Sequence, residues 1–233
     1  MSAATRYVIQ DRTVTLPVEV RRATNASALW MVPAAAVAKL LPDDAFTPQD
    51  VGGGLTQLIL GLIDYQDNDL GDYREVAVIF FVHPRGTGPE EAGSFIWKLP
   101  VDQSFTRDAG ETIWGFPKTV ERIDYAYAPD SLTGTLWMDG ARVFTLRVPR
   151  GGEPTGDAAT DGFTYTYLNG APHRTPMTTA GGAVLNPAGP AVELDLGSHP
   201  LADALRSLGL PKPPALATWV PHMRGTFGVP EKI

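Results

Sequence analysis

The stretch Ser131-Leu132-Thr133-Gly134-Thr135-Leu136-Trp137-Met138-Asp139-Gly140-Ala141-Arg142-Val143-Phe144-Thr145-Leu146-Arg147-Val148 holds two strand-like runs around an Asp-Gly pair. Asp-Gly between such runs supplies the two positive-φ residues of a tight hairpin turn. Residues 131–138 and 141–148 are therefore predicted to pair antiparallel. The same punctuation continues in both directions. The chain of 233 residues carries 24 glycines and 21 prolines, spread along it rather than gathered in one linker. Upstream, residues 73–83 are rich in Val, Ile and Phe and stop at Pro84, which predicts a central strand. Residues 55–65 are ambiguous by periodicity, but their length and flanking glycines favour a buried strand. Residues 14–23, 27–33, 94–100, 163–168 and 191–196 read as further strands, and 83–92 and 151–161 as loops. The Ala/Leu-rich 34–41 ends before Pro42 and predicts a short helix. Residues 198–208 predict another, with Ser198 as N-cap, Pro200 in the first turn and Gly209 just past the end. No internal repeat or low-complexity tract is present. The count predicts one mainly β domain over 1–233, closed or nearly closed, with a few short helices.

Composition narrows the function. A net charge of −7 without a basic stripe argues against nucleic acid as partner and favours a small molecule. There is no cysteine, which excludes disulfides, thiolate metal sites and cysteine nucleophiles. Residues 1–15 have no apolar core of signal-peptide length, and no run approaches a membrane span, so a cytoplasmic protein is expected. His83, His173, His199 and His222 are scattered, and no metal is expected. There is no P-loop, dinucleotide fingerprint or nucleophile elbow, and no cofactor is expected. Gly52-Gly53-Gly54 and Arg85-Gly86-Thr87-Gly88 read as loops.

Lysine is scarce: Lys39, Lys98, Lys118, Lys212 and Lys232. Lys118 follows Ile113, Trp114, Phe116 and Pro117. A lysine amine is a nucleophile only when neutral, and burial or a nearby cation lowers its pKa. An apolar, aromatic approach to a lone lysine is the setting imine chemistry would need. The plainer reading is a solvated lysine after a proline turn.

The segment Gly110-Glu111-Thr112-Ile113-Trp114-Gly115-Phe116-Pro117-Lys118 resembles the signature of the acetoacetate decarboxylase family, in which the lysine after Tyr/Phe-Pro forms the Schiff base. Gly71-Asp72-Tyr73-Arg74-Glu75 resembles that family's Gly-x-Tyr-x-Glu segment, and residues 93–99 resemble the strand preceding the signature. Leu132-Thr133-Gly134-Thr135-Leu136 and Gly140-Ala141-Arg142-Val143 resemble its hairpin. The resemblance covers about residues 55–150 well and the rest weakly. It implies a closed, cone-like antiparallel β-barrel with an internal pocket, a homo-oligomer, and an imine between Lys118 and a small keto acid. It also implies a role for Glu75 as general acid/base. On a strand Tyr73 shares a face with Glu75, so its hydroxyl is expected in the pocket too. Trp114 is expected to shrink and dry the pocket, and Glu111 to be structural. Lys98 aligns with a pocket position and is expected to supply a cation, either lowering the Lys118 pKa or binding a substrate carboxylate; the alternative is an outward strand lysine. The family's N-terminal arginine has no clean counterpart; Arg22, with Arg21 beside it, lies in the right neighbourhood, and Arg22 is expected to bind substrate. His222 and Arg224 are read as surface residues that could close the pocket, Arg224 suiting a carboxylate.

The chain also departs from the pattern. Thr119 stands where the decarboxylases carry a second lysine, and Leu60 or Gly61 where they carry a second Glu. The readings in order are a Schiff-base lyase on a β-keto acid, an aldolase-dehydratase on the same lysine, and a non-catalytic carbonyl or carboxylate binder.

Overall fold

The computed structural model describes residues 5–187 and 191–233. The first strands in chain order are β1 (Arg6–Ile9), β2 (Arg12–Thr15), β3 (Val18–Pro33), β4 (Phe46–Pro48), β5 (Leu55–Asn68), β6 (Tyr73–Pro84) and β7 (Gly93–Lys98). They are followed by β8 (Arg122–Tyr127), β9 (Ser131–Met138), β10 (Ala141–Pro149), β11 (Thr160–Leu168) and β12 (Ala171–Ala180). Last come β13 (Val184–Pro187), β14 (Glu193–Leu196), β15 (Leu216–Phe227) and β16 (Glu231–Lys232). Helices α1 (Ala34–Ala38), α2 (Ser104–Trp114) and α3 (Pro200–Ser207) are short. None of them is long and apolar enough to cross a membrane.

Seven strands in the order β15-β3-β5-β6-β7-β11-β12 form a barrel, which closes where β12 pairs with β15. Its seams are antiparallel, as expected, except β7 with β11, which is parallel. A second sheet, β14-β10-β9-β8, lies apart in the pairing pattern. Its hairpin β9–β10 forms as the Asp-Gly signal predicts, with Met138 opposite Ala141 and positive φ at Asp139 and Gly140.

The apolar run of β5 is explained by burial on both faces. Leu58, Leu60 and Leu62 alternate with Gly61, Ile63 and Tyr65. The leucines join Val76, Val78 and Phe80 of β6 and Leu136, Phe144 and Leu146 of the second sheet in one apolar cluster. Ile63 and Tyr65 join Tyr73 and Ala77 in a second cluster with Val18, Val20, Ile96 and the buried face of α2. Period-two alternation thus divides each strand between the layer beneath the second sheet and the barrel interior.

Several expectations need correction. Residues 14–23 and 27–33 are not two strands. β2 ends at Thr15 in a hairpin with β1, and β3 then runs unbroken from Val18 to Pro33. The irregularity near Arg22 is a pair of register shifts within the ladder, so the chain continues without a turn. Helix α3 is capped by His199, whose Nδ1 accepts from the Leu201 N–H at 3.0 Å, and not by Ser198. Helix α2 and strands β8, β12 and β15 were not predicted.

Candidate active site

Helix α2 positions the signature lysine. The Gln103 side chain caps its start by accepting from the Thr106 N–H at 2.6 Å. Phe105, Thr106, Ala109, Gly110, Ile113 and Trp114 form its buried face. Gly115 ends it at φ +67°, and the Phe116 N–H reaches back to the Gly110 carbonyl at 3.1 Å. With the Gly115 N–H also on the Glu111 carbonyl at 3.1 Å, this left-handed cap reverses the chain, so Phe116-Pro117-Lys118 runs back alongside the helix. The Lys118 side chain then crosses α2 at Gly110, where a Cβ would lie 2.7 Å from Lys118 Cδ. Glycine at this signature position provides the space the lysine occupies.

Strand β6 turns Tyr73, Glu75, Ala77 and Ile79 to the interior, and all four line a cavity of about 170 Å³. Lys118, Tyr65 and Trp114 line the same cavity. Lys118 Nζ lies 2.9 Å from Glu75 Oε2. It donates to Thr106 Oγ1 at 3.0 Å and, at the outer limit of a hydrogen bond, to the Tyr73 hydroxyl at 3.5 Å. The three ammonium protons thus have three acceptors. The Tyr65 hydroxyl donates to the other carboxylate oxygen, Glu75 Oε1, at 3.3 Å. Tyr65 and Tyr73 stack with centroids 4.4 Å apart. The Tyr125 hydroxyl donates to the Glu75 carbonyl at 2.6 Å and fixes the backbone beneath the carboxylate.

The electrostatics correct one expectation. Burial works to lower the Lys118 pKa, but Glu75, by charge attraction and hydrogen bonding, and Tyr73 with it, outweigh burial and raise it above the ordinary lysine value. The resting group is an ammonium in a buried ion pair. Burial, and then the Glu75 charge, push the Tyr65 phenol well above its usual range. The Tyr73 phenol is raised by burial, against the opposing pull of Lys118.

A model of the acetoacetate decarboxylase family matches residues 10–224. The chain belongs to that family. Solved structures of acetoacetate decarboxylase-type proteins share the fold. The chain superposes on acetoacetate decarboxylase from Legionella pneumophila with a TM-score of 0.66, covering 93% of this chain and 87% of that one at 18% identity. For the enduracididine biosynthesis enzyme MppR complexed with pyruvate the TM-score is 0.64, with 93% and 90% covered at 14% identity. For an acetoacetate decarboxylase-like enzyme from Sphingomonas wittichii the TM-score is 0.60, with 94% of each chain covered at 19% identity. No curated protein matches the chain.

Of the residues that the family resemblance singled out, Lys118, Glu75, Tyr73 and Trp114 come together. Trp114 stacks on Phe116 and donates its indole N–H to the Gly228 carbonyl at 2.8 Å. Lys98 stands elsewhere. It lines a separate outer recess with Leu40, Pro42 and Tyr167, its Nζ 5.5 Å from the Trp97 ring. The β6–β7 register shifts between Val78 and Ile79, which breaks the alternation before Lys98. Lys98 therefore brings no cation to Lys118. Arg22 is exposed at the β3 register shifts and does not line the cavity. Arg21 is held on the surface by Asp67 and Asp69 at 2.8 and 2.7 Å. Thr119 is exposed, and Glu111 pairs with Arg107 at 3.7 Å on the outside of α2. His222 is exposed, whereas Arg224 lines the cavity while binding Asp157 with two contacts of 2.7 and 2.9 Å. Gly61 packs against Ala77, so the position nearest the family's second Glu is filled by small apolar groups.

Sequence reasoning missed Tyr65, Thr106 and the wall contributed by Met177, Met223 and Phe227. Tyr65 falls on a predicted strand, 55–65, but that strand is apolar on both faces and its pattern does not tell which face lines the pocket. Thr106 needed helix α2.

Proposed function

We propose that this chain is a lyase that forms an imine between Lys118 and a keto acid or related carbonyl compound. The observation carrying this reading is the solvent-excluded Lys118–Glu75 pair, 2.9 Å apart in the wall of an internal cavity.

The pair provides a proton route. Lys118 passes a proton from Nζ to Glu75, and the freed amine adds to the substrate carbonyl carbon. The proton returns as the carbonyl oxygen leaves as water, giving an iminium where the ammonium stood. Glu75 then faces a cation again, so the charge pattern of the resting site is restored. For a β-keto acid, the C–C bond to the carboxylate breaks, its electrons pass into the iminium and CO2 departs, leaving an enamine. The enamine carbon takes its proton from a water molecule, such as the one released in forming the imine, and the Glu75 carboxylate relays that proton. Thr106 and Tyr73 hold Nζ in position, and Trp114 and Phe116 keep water away.

A second reading, an aldolase-dehydratase, uses the same lysine. It is favoured by the small apolar pair Gly61 and Ala77 in place of a second carboxylate, and by Thr119 in place of a second lysine. MppR, which shares the fold, has been solved with the condensation product of pyruvate and imidazole 4-carboxaldehyde.

The test is intact-protein mass spectrometry after borohydride reduction with acetoacetate and, separately, with pyruvate. A stable adduct absent from Lys118→Ala is the expected result. CO2 release from acetoacetate then separates the two enzyme readings. The absence of any adduct with small carbonyl compounds would leave a binding protein.

A further inference from the structure

The cavity holds more than a reactive pair. Its volume of about 170 Å³ has room for on the order of ten water-sized groups. A compact keto acid such as pyruvate fills only part of that. The surplus is apolar: Ile63, Ala77, Ile79, Ile96, Met223 and Phe227 all line it. They come from four strands, β5, β6, β7 and β15, far apart in the chain, so the lining is shared by much of the barrel wall.

Charge adds a second, independent constraint. Only two cations line the cavity among the described residues, Lys118 and Arg224. Lys118 is matched by Glu75 before reaction, and the iminium would be matched by it afterwards. A substrate carboxylate lodged among the apolar residues would be dehydrated with no cation left for it, and would be repelled by Glu75. Arg224 is exposed and therefore marks the open side of the cavity. Its partner Asp157 is itself solvent-exposed, with 63% of its side chain accessible, so a ligand carboxylate can compete for the guanidinium there.

Resting on the imine reading, we propose that the preferred substrate is a ketone or keto acid whose carbonyl carries an extended apolar chain or aryl group. The apolar part lies against Ile63, Ala77 and Ile79, and any carboxylate points out to Arg224. Compact keto acids are then poor ligands that leave apolar surface unfilled.

Two homologous series test this, trapped by borohydride and read by intact mass. One is methyl ketones from acetone to 2-octanone; the other is 3-keto acids from acetoacetate to 3-oxooctanoate. The concentration giving half-maximal trapping is expected to fall about fourfold per added methylene until the cavity is full. In Ala77→Leu the dependence on chain length is expected to flatten earlier. Ile79→Phe, on the same face, serves the same purpose if Ala77→Leu does not fold. Arg224→Gln is expected to weaken the acid series more than the neutral ketone series; equal weakening of both would remove the assigned carboxylate contact.

Tightest trapping of acetone and acetoacetate, with no gain along either series, would overturn the proposal while leaving the Lys118 imine intact. An unchanged series in both cavity-filling variants would also overturn it. No adduct with any member of either series would remove the imine reading and this inference together.

Discussion

Glu75 of β6 and Lys118 of the segment after α2 meet with 2.9 Å between Oε2 and Nζ, their side chains only 7% and 3% exposed. A buried ion pair of this kind adds little net stability, because desolvation offsets attraction, but losing one partner strands a charge. Lys118→Met and Glu75→Gln are therefore each expected to lose about 3–5 kcal/mol. The double variant should recover a large part of that loss. Urea unfolding of the four proteins, analysed as a double-mutant cycle, measures the coupling; additive losses would show that the pair is not coupled.

The raised Lys118 pKa has a definite sign in pH. A group whose folded pKa exceeds its unfolded value contributes stability that is fully present below the unfolded value, here 10.5. That contribution is lost as pH rises through the folded value. The stability difference between wild type and the Lys118→Met/Glu75→Gln double variant should thus shift against wild type only above about pH 10.5. A flat difference through pH 12 would contradict the sign.

Reactivity shows the same pair from the other side. In Glu75→Gln the attraction disappears while the burial remains, so the Lys118 pKa should drop below the ordinary lysine value. The pH dependence of borohydride-trapped adduct formation with acetone should move to lower pH in this variant, even as turnover of any keto acid falls. A profile unmoved by the substitution would mean that Glu75 does not set the lysine's charge.

Gly110→Ala separates folding from positioning. Replacing a helical glycine by alanine favours the helix by about 1 kcal/mol. Here the new Cβ would lie 2.7 Å from Lys118 Cδ and force the lysine aside. Near-native thermal stability with at least about tenfold slower adduct formation is expected, a barrier increase of roughly 1.4 kcal/mol. Normal trapping kinetics would show that the lysine accommodates the methyl freely.

Gly115 and Gly140 share a left-handed backbone, at φ +67° and +74°, but not a setting. Around Gly140 there is open space, so alanine should cost only the backbone term of about 1–2 kcal/mol. At Gly115 a Cβ would approach the Tyr167 carbonyl oxygen to 2.1 Å, and the loss should be clearly larger. Chemical denaturation of the two variants side by side gives the comparison.

What the sequence revealed follows from where each signal resides. The Asp139-Gly140 hairpin and the Val/Ile/Phe run of β6 were legible because turn chemistry and β-branching are local. Lys118, Glu75 and Tyr73 were legible through a family pattern. Helix α2 escaped notice because Ser104, Thr106, Gly110 and Thr112 are weak helix formers, although Phe105, Ala109 and Ile113 repeat at the helical interval. Strand β12 carries two prolines and few large apolar residues, so its place in the barrel rests on its neighbours rather than its own pattern. The charge state of Lys118 was misjudged for a related reason: the apolar approach is local, but Glu75 arrives from a distant strand.

The barrel's closing strand, β15, joins β3 on one side and β12 on the other. It is also the last wall strand to leave the ribosome. Until residues 216–227 have emerged, β3 keeps an open edge and the cavity lacks Met223, Arg224 and Phe227. Lys118 and Glu75 are by then already synthesised, but the chamber around them is unsealed. A nascent chain stalled before β15 would therefore carry Lys118 and Glu75 in a wet, half-open trough, without the enclosure that excludes water.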